Sequence, residues 1–170
     1  LAVLVPSEIE MTRSTAADPA AKRAEIKLVD FSLCADLSAG PAVHALGTHH
    51  WMPPEMTLRK PHHFNCDVWS LGITLLQLLQ GHLPFHYSRF DALYLPAAGL
   101  PPRLDSSVQC SQLCKDFVAL TLTVDAAARP QAAELRKHAW RKIQASQSQM
   151  WSLIKFVFRK AAIAHVMGEY

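Results

Sequence analysis

The chain has 170 residues, 50% of them hydrophobic and 18% charged, with a formal net charge of +3. That is enough for one domain with a substantial core, and it excludes an intrinsically disordered chain. The mild basic balance is a solvated mixed surface and no argument for nucleic acid; no run of about 20 apolar residues and no signal peptide is visible, so a cytoplasmic protein without a transmembrane segment is expected.

In chain order, Leu1 to Val5 is a short apolar run stopped by Pro6, and the Ser-, Thr- and Ala-rich stretch that follows reads as loop or linker. Residues 1–23 carry no assignable motif. AEIKLVD, Ala24 to Asp30, alternates Ile26 and Leu28 against Glu25 and Lys27, which predicts a short strand. Phe31 to Met52 holds Gly40, Pro41 and Gly47 and reads as a long loop, a length that is usually functional or disordered. Met56 to Asn65 is irregular and basic.

The next stretch, DVWSLGITLLQLLQG from Asp67 to Gly81, organises the rest. Its apolar residues cover nearly the whole circumference of a helix, with Ser70, Thr74 and Gln77 as a narrow polar stripe, so burial by neighbours on all sides is expected. Asp67 suits an N-cap; Gly81 and then Pro84 end the helix. Further helices are predicted from Ser88 as N-cap, over Ser111 to Leu122, over Gln131 to Trp140, and over Met150 to Met167, with a proline-rich connection from Pro96 to Arg103. Cys34, Cys66, Cys110 and Cys114 contain no CxxC pair; the last two stand four apart on an expected helix, which suits packing rather than a disulfide, and all four read as reduced thiols. The sum is one short strand and four or five helices, a mostly α domain.

LVDFS (28–32), GTHHWMPPE (47–55), DVWSLGITLLQLLQGHLPF (67–85) and AARP (127–130) occur in order at spacings that resemble the C-terminal lobe of a eukaryotic protein kinase. DFSLCADL and WMPPEMTLRKP resemble most closely the p21-activated kinases of the Sterile-20 group. The resemblance covers about Ala24 to Trp140, so the expected organisation is a linker or remnant at 1–23, a kinase C-lobe at 24–142 and an amphipathic helix at 143–170. It implies a signalling activity, ATP-dependent phosphorylation of protein serine or threonine, with ATP and Mg²⁺ as cofactors. By resemblance, Asp30 holds Mg²⁺ at the ATP phosphates and Phe31 packs inward beneath it. Ser32 replaces the motif glycine, and Thr48 lies at the activation-segment position that contacts the catalytic base. Glu55 pairs with Arg129 inside the lobe, Pro53 stands where alanine is usual, Asp67 holds the catalytic loop by its backbone, and Trp69 packs nearby; these last roles are architectural.

The catalytic half of the pattern is missing. The six glycines at 40, 47, 72, 81, 99 and 168 cannot form a GxGxxG loop, and no VAIK-like lysine or partner glutamate can be assigned. The place of the His-Arg-Asp loop reads Met11-Thr12-Arg13, no histidine precedes His44, and Asp18 in AADPAA has no orienting partner in sequence. The phosphorylated residue of the activation segment falls on His44, leaving Ser38 as the one hydroxyl between Ser32 and Thr48. No catalytic residue is assignable, and the chain alone is expected to be inactive. It is either a partial kinase domain or a pseudokinase interaction module that binds a protein substrate, a kinase or a scaffold.

His49-His50 and His62-His63 lack metal-ligand spacing and read as structural or surface histidines. From Trp151 to Met167, Ser152, Lys155 and Arg159 make a polar stripe among Trp151, Ile154, Phe156, Val157, Phe158 and Ile163, a basic amphipathic pattern that docks on the lobe or on a partner.

Overall fold

A computed structural model describes residues 28–85 and 88–142. The chain divides into two compact units; one holds Asp30–Lys142, and of the other only Leu28 and Val29, both exposed, are described. The expected linker at 1–23 and the amphipathic helix at 143–170 lie outside the described residues, as does Ala24 to Lys27 of the expected strand. Leu28 to Asp30 are not in a strand.

Among the described residues five helices are found: α1 (Pro54–Thr57), α2 (Asn65–Gln80), α3 (Arg89–Ala97), α4 (Gln112–Thr121) and α5 (Ala132–Leu135), with 3-10 turns at His49–Trp51 and Ala139–Lys142. Among the described residues the one bridge of β type joins Ala42 and His62, through reciprocal backbone bonds of 3.0 and 2.9 Å.

α2 begins two residues before the expected start. Phe64 occupies the cap position, and Asp67 lies inside the first turn, where its charge complements the helix dipole. The C-terminus is as the sequence predicts: Gly81 takes φ +82, a left-handed conformation open to glycine, and returns its N–H to Gln77 O at 2.9 Å.

α2 packs on α4 and on the His49–Trp51 turn. Trp69, Ile73 and Leu76 meet Val118 and Leu122 in one cluster; Val68 meets Phe117 and Leu135 in a second, against which Trp140 rests. Gly72 lets α4 come close, since a Cβ there would lie 2.5 Å from Thr121 Oγ1 and 2.7 Å from Leu122 Cδ2. Burial on all sides is not observed. Leu78 is 59% exposed and Leu71, Leu75 and Leu79 are half-buried, because the described neighbours of α2 cover only the Trp69–Ile73–Leu76 side. Of the expected polar stripe, Ser70 is buried, its hydroxyl 2.9 Å from Trp51 O and 3.3 Å from Cys66 O, and Thr74 Oγ1 donates to Ser70 O at 2.9 Å.

α3 and α4 start from side-chain caps. Ser88 Oγ accepts from Asp91 N–H at 3.1 Å, and Ser111 Oγ from Cys114 N–H at 3.2 Å. α3 continues through Pro96, which the sequence assigns to the connection. The single helix expected over Gln131 to Trp140 is two short pieces: Gln131 and Glu134 form a reciprocal capping box, but the α-helix stops at Leu135. α1 runs into the start of Met56 to Asn65, which reads as irregular, and is started by Pro54 at a position where a missing N–H costs nothing.

Candidate functional site

Two groups of sequence-predicted residues are far apart along the chain and differ in what surrounds them. The first centres on Arg129. Its guanidinium and Glu55 form a bidentate pair, Nη1 to Oε1 at 2.7 Å and Nη2 to Oε2 at 3.0 Å. Both side chains are buried. The three remaining N–H groups of Arg129 also find acceptors: Nε donates to Thr123 O at 2.9 Å, Nη1 to Asn65 O at 3.0 Å and Nη2 to Val124 O at 3.3 Å. An arginine has five donors in a fixed fork, so this one is fully satisfied. Its guanidinium lies 5.1 Å from the Trp69 ring centroid, a cation–π contact that gives Trp69 a second role beside its place in the core.

Each partner is delivered by a different element. Glu55 sits on α1, held there by Pro53, which is fully buried, and by Pro54. Asn65 and Trp69 come from the first turns of α2, and Thr123 and Val124 from the chain leaving α4. Asn65 also donates from Nδ2 to Ala126 O. One ion pair therefore ties α1 to α2 and to the segment after α4. Sequence reasoning finds Glu55 and Arg129 but misses Asn65. Nothing local at Asn65 signals a bond to a residue 61 positions away.

The second group is the Asp30 turn. Asp30 has φ +62, and one of its carboxylate oxygens accepts from Ser32 Oγ at 2.6 Å and from Ser32 N–H at 3.2 Å. These bonds, the hydroxyl first and the amide second, hold its carboxyl below the usual carboxylate range. The turn is open to solvent. Phe31 does not pack inward as expected: it is 66% exposed, because no described residue closes over it. Thr48 is exposed and caps the His49–Trp51 turn with its backbone only, Trp51 N–H donating to Thr48 O at 3.0 Å. Asp67 is exposed at the start of α2.

Between the groups, His62 is buried with Nδ1 3.1 Å from Lys60 O, and His50 lies against the Trp51 ring edge. Burial, and secondarily the charge of His49, pushes the His50 ring below the usual imidazole range. Among the described residues no three His, Cys, Asp or Glu side chains gather as a metal site. Mg²⁺ held beside ATP takes one or two carboxylates plus phosphate oxygens. Here the described donor is the single Asp30 carboxylate, already engaged by Ser32, and no glycine-rich loop or strand lysine is present in the sequence to hold the phosphates. The described residues alone do not complete a site for Mg–ATP.

The order and spacing of the Asp30 turn, the Glu55 helix, α2 and Arg129 define a protein kinase domain, and the protein kinase domain family matches residues 19–141. The chain belongs to that family. Within it, the chain is Ste20/PAK-like. It is 35% identical over 136 residues to the serine/threonine-protein kinase shk1/pak1 of Schizosaccharomyces pombe, covering 78% of this chain and 21% of that protein. It is 36% identical to the serine/threonine-protein kinase STE20 of Yarrowia lipolytica, with 78% and 12% covered. It is 33% identical to the serine/threonine-protein kinase PAK 1 of Mus musculus, with 76% and 24% covered. The chain spans about a quarter or less of the length of these relatives. No helix among the described residues is long and apolar enough to cross a membrane.

Proposed function

We propose that this chain is a serine/threonine-kinase-family lobe that does not transfer phosphate by itself and acts in the cytoplasm by engaging protein partners. The contrast between the two residue groups carries the reading. The Arg129 frame is complete, which is what a lobe selected to fold requires. The Asp30 turn is exposed and satisfied by its own neighbour Ser32. Phosphoryl transfer needs metal, base and positioning groups together, and such groups act as a unit. One aspartate without a His-Arg-Asp loop, a strand lysine or a glycine-rich loop leaves nothing to take the substrate proton or to hold the nucleotide. The family activity, Mg²⁺- and ATP-dependent phosphorylation of serine or threonine on a protein substrate, needs parts that these 170 residues do not contain.

A partner-binding role is favoured by α3. Phe90 and Tyr94 stack there at 6.3 Å while 60% and 61% exposed, and the Arg89 guanidinium lies 5.5 Å from the Phe90 ring. Exposed aromatic and arginine side chains in contact are the composition of interface anchors.

Calorimetry with MgATP on the 170-residue chain tests the reading, with Asp30→Ala as control. Millimolar nucleotide should give neither saturable heat nor thermal stabilisation. Saturable, Mg²⁺-dependent binding that is lost in Asp30→Ala would overturn it.

A further inference from the structure

Arg59, Lys60 and the histidine pairs belong to neither residue group. From Leu37 to Cys66 the sequence holds those two cations, histidines at 44, 49, 50, 62 and 63, and a single acid, Glu55. Glu55 is buried against Arg129, so the stretch shows no carboxylate to solvent. Arg59 and Lys60 are exposed, and neither side chain has a partner among the described residues. The turn that ends α1 sets their place. Leu58 N–H donates to Pro54 O at 2.9 Å and Lys60 N–H to Glu55 O at 2.8 Å, with Arg59 between them at φ +52. That left-handed conformation favours glycine, and here an arginine holds it. The antiparallel Ala42–His62 bridge then joins the stretch to the loop before it. Side chains alternate across such a pair, and the exposures follow: His62 is buried and Ala42 half-buried, while Pro41, Val43, Pro61 and His63 are exposed. His62 Nδ1, 3.1 Å from Lys60 O, braces the turn from within. Val43, Leu46, Leu58 and Phe64 each leave about half of their surface in water.

We propose that this face binds an acidic segment of a partner protein, with carboxylates on Arg59 and Lys60 and leucine or phenylalanine side chains on Val43, Leu58 and Phe64. Charge complementarity selects the occupant: two exposed cations in a stretch without an exposed acid attract acidic segments and repel basic ones. The apolar side chains beside them ask for a ligand that carries both kinds of group along one chain, which a peptide does and an inorganic anion does not. An anionic membrane surface is held by clusters of about four to eight cations, more than Arg59 and Lys60 supply. The inference rests on the reading that the lobe engages protein partners, and it names residues other than Phe90 and Tyr94 for one of them. Failure of that reading shows as saturable MgATP binding and failure of this face as unchanged peptide binding, so the two are told apart.

The test is fluorescence anisotropy of a labelled EDLFDEL peptide titrated with the full 170-residue chain at low salt. Saturable binding is expected. Arg59→Gly combined with Lys60→Ala should weaken it about tenfold, and so should raising the ionic strength to about 0.5 M. The uncharged peptide QNLFNQL should bind the unmodified chain more weakly by a similar factor. Phe64→Ser should also weaken EDLFDEL, because it removes an apolar contact and leaves both cations. Arg59→Gly alone relieves the left-handed backbone, so its urea midpoint should hold or rise while its affinity for the peptide falls, a pairing that a poorly folded variant does not give. Three results would each overturn the proposal: no saturable binding of EDLFDEL, equal binding of QNLFNQL, or an affinity unchanged in the double variant. Retention of the chain on phosphatidylserine vesicles without binding of the peptide would assign the face to a membrane surface and overturn it as well.

Discussion

Arg129 shows how one residue can make a whole lobe conditional on a single ion pair. All five of its donors are used, two on Glu55 and three on backbone carbonyls, and both charges are out of water. Removing one partner strands the other, so Glu55→Ala should cost about 3–5 kcal/mol, seen as a lower urea midpoint with an unchanged slope. Glu55→Ala combined with Arg129→Leu should cost less than the sum of the two single changes, because neither charge is then stranded. Asp30 is the opposite case, a charge bonded in water. Its folded carboxyl lies below its unfolded value, so its turn is favoured above the ordinary carboxylate range and is lost as pH falls through the lowered value. Ser32→Gly removes the hydroxyl, the larger cause, and leaves the backbone N–H. The Asp30 titration, followed by carboxyl carbon NMR, should move up toward the ordinary value and the turn should be lost at a higher pH. An unmoved titration would mean that the hydroxyl bond is not made in solution.

α2 separates what a sequence pattern reveals from what it cannot. The apolar run and Gly81 disclose the helix and its end, because both are local: periodicity marks the core and a left-handed cap demands glycine. The start is less legible, since Asp67 suits a cap yet lies inside the first turn. Asn65 bonds to Ala126, and only the fold brings that carbonyl near. The strand before Asp30 and the single helix over Gln131 to Trp140 are patterns that the described residues do not follow. The motif residues are legible as a set, yet not the exposure of Phe31 or the way Asp30 is satisfied by Ser32. Nor does the pattern say which side of an all-round apolar helix meets neighbours. That asymmetry predicts unequal costs on one helix. Leu76→Ala, fully buried against α4, should cost about 2–5 kcal/mol, and Leu78→Ala, mostly exposed, about 0.5 kcal/mol or less. Gly72→Ala should cost about 1–3 kcal/mol although it adds only a methyl group, because that carbon meets Thr121 and Leu122 well inside van der Waals contact. Urea unfolding of the three variants checks the order.

At the scale of the described unit, stability is concentrated on the α2–α4 pair and thins out toward the Asp30 end. The two apolar clusters share these helices, and the Arg129 frame closes over the start of α2, so Trp69–Leu76 and Val118–Leu122 should open together. Residues 30–48 have no buried side chain. Among the described residues their backbone bonds are few: Cys34 N–H to Phe31 O, Gly40 N–H to Leu37 O, Trp51 N–H to Thr48 O, and the Ala42–His62 bridge. Exposed backbone with few internal bonds exchanges through small local openings, whereas core amides wait for global unfolding. Hydrogen exchange read by mass spectrometry should therefore label 30–48 almost at once. Trp69–Leu76 and Val118–Leu122 should be labelled last and at one common rate. Glu55→Ala should speed exchange in both core segments equally, since the pair it breaks supports both through Asn65, Thr123 and Val124. A variant in which only the α1 amides speed up would mean that the ion pair secures α1 locally and that the α2–α4 pair stands without it.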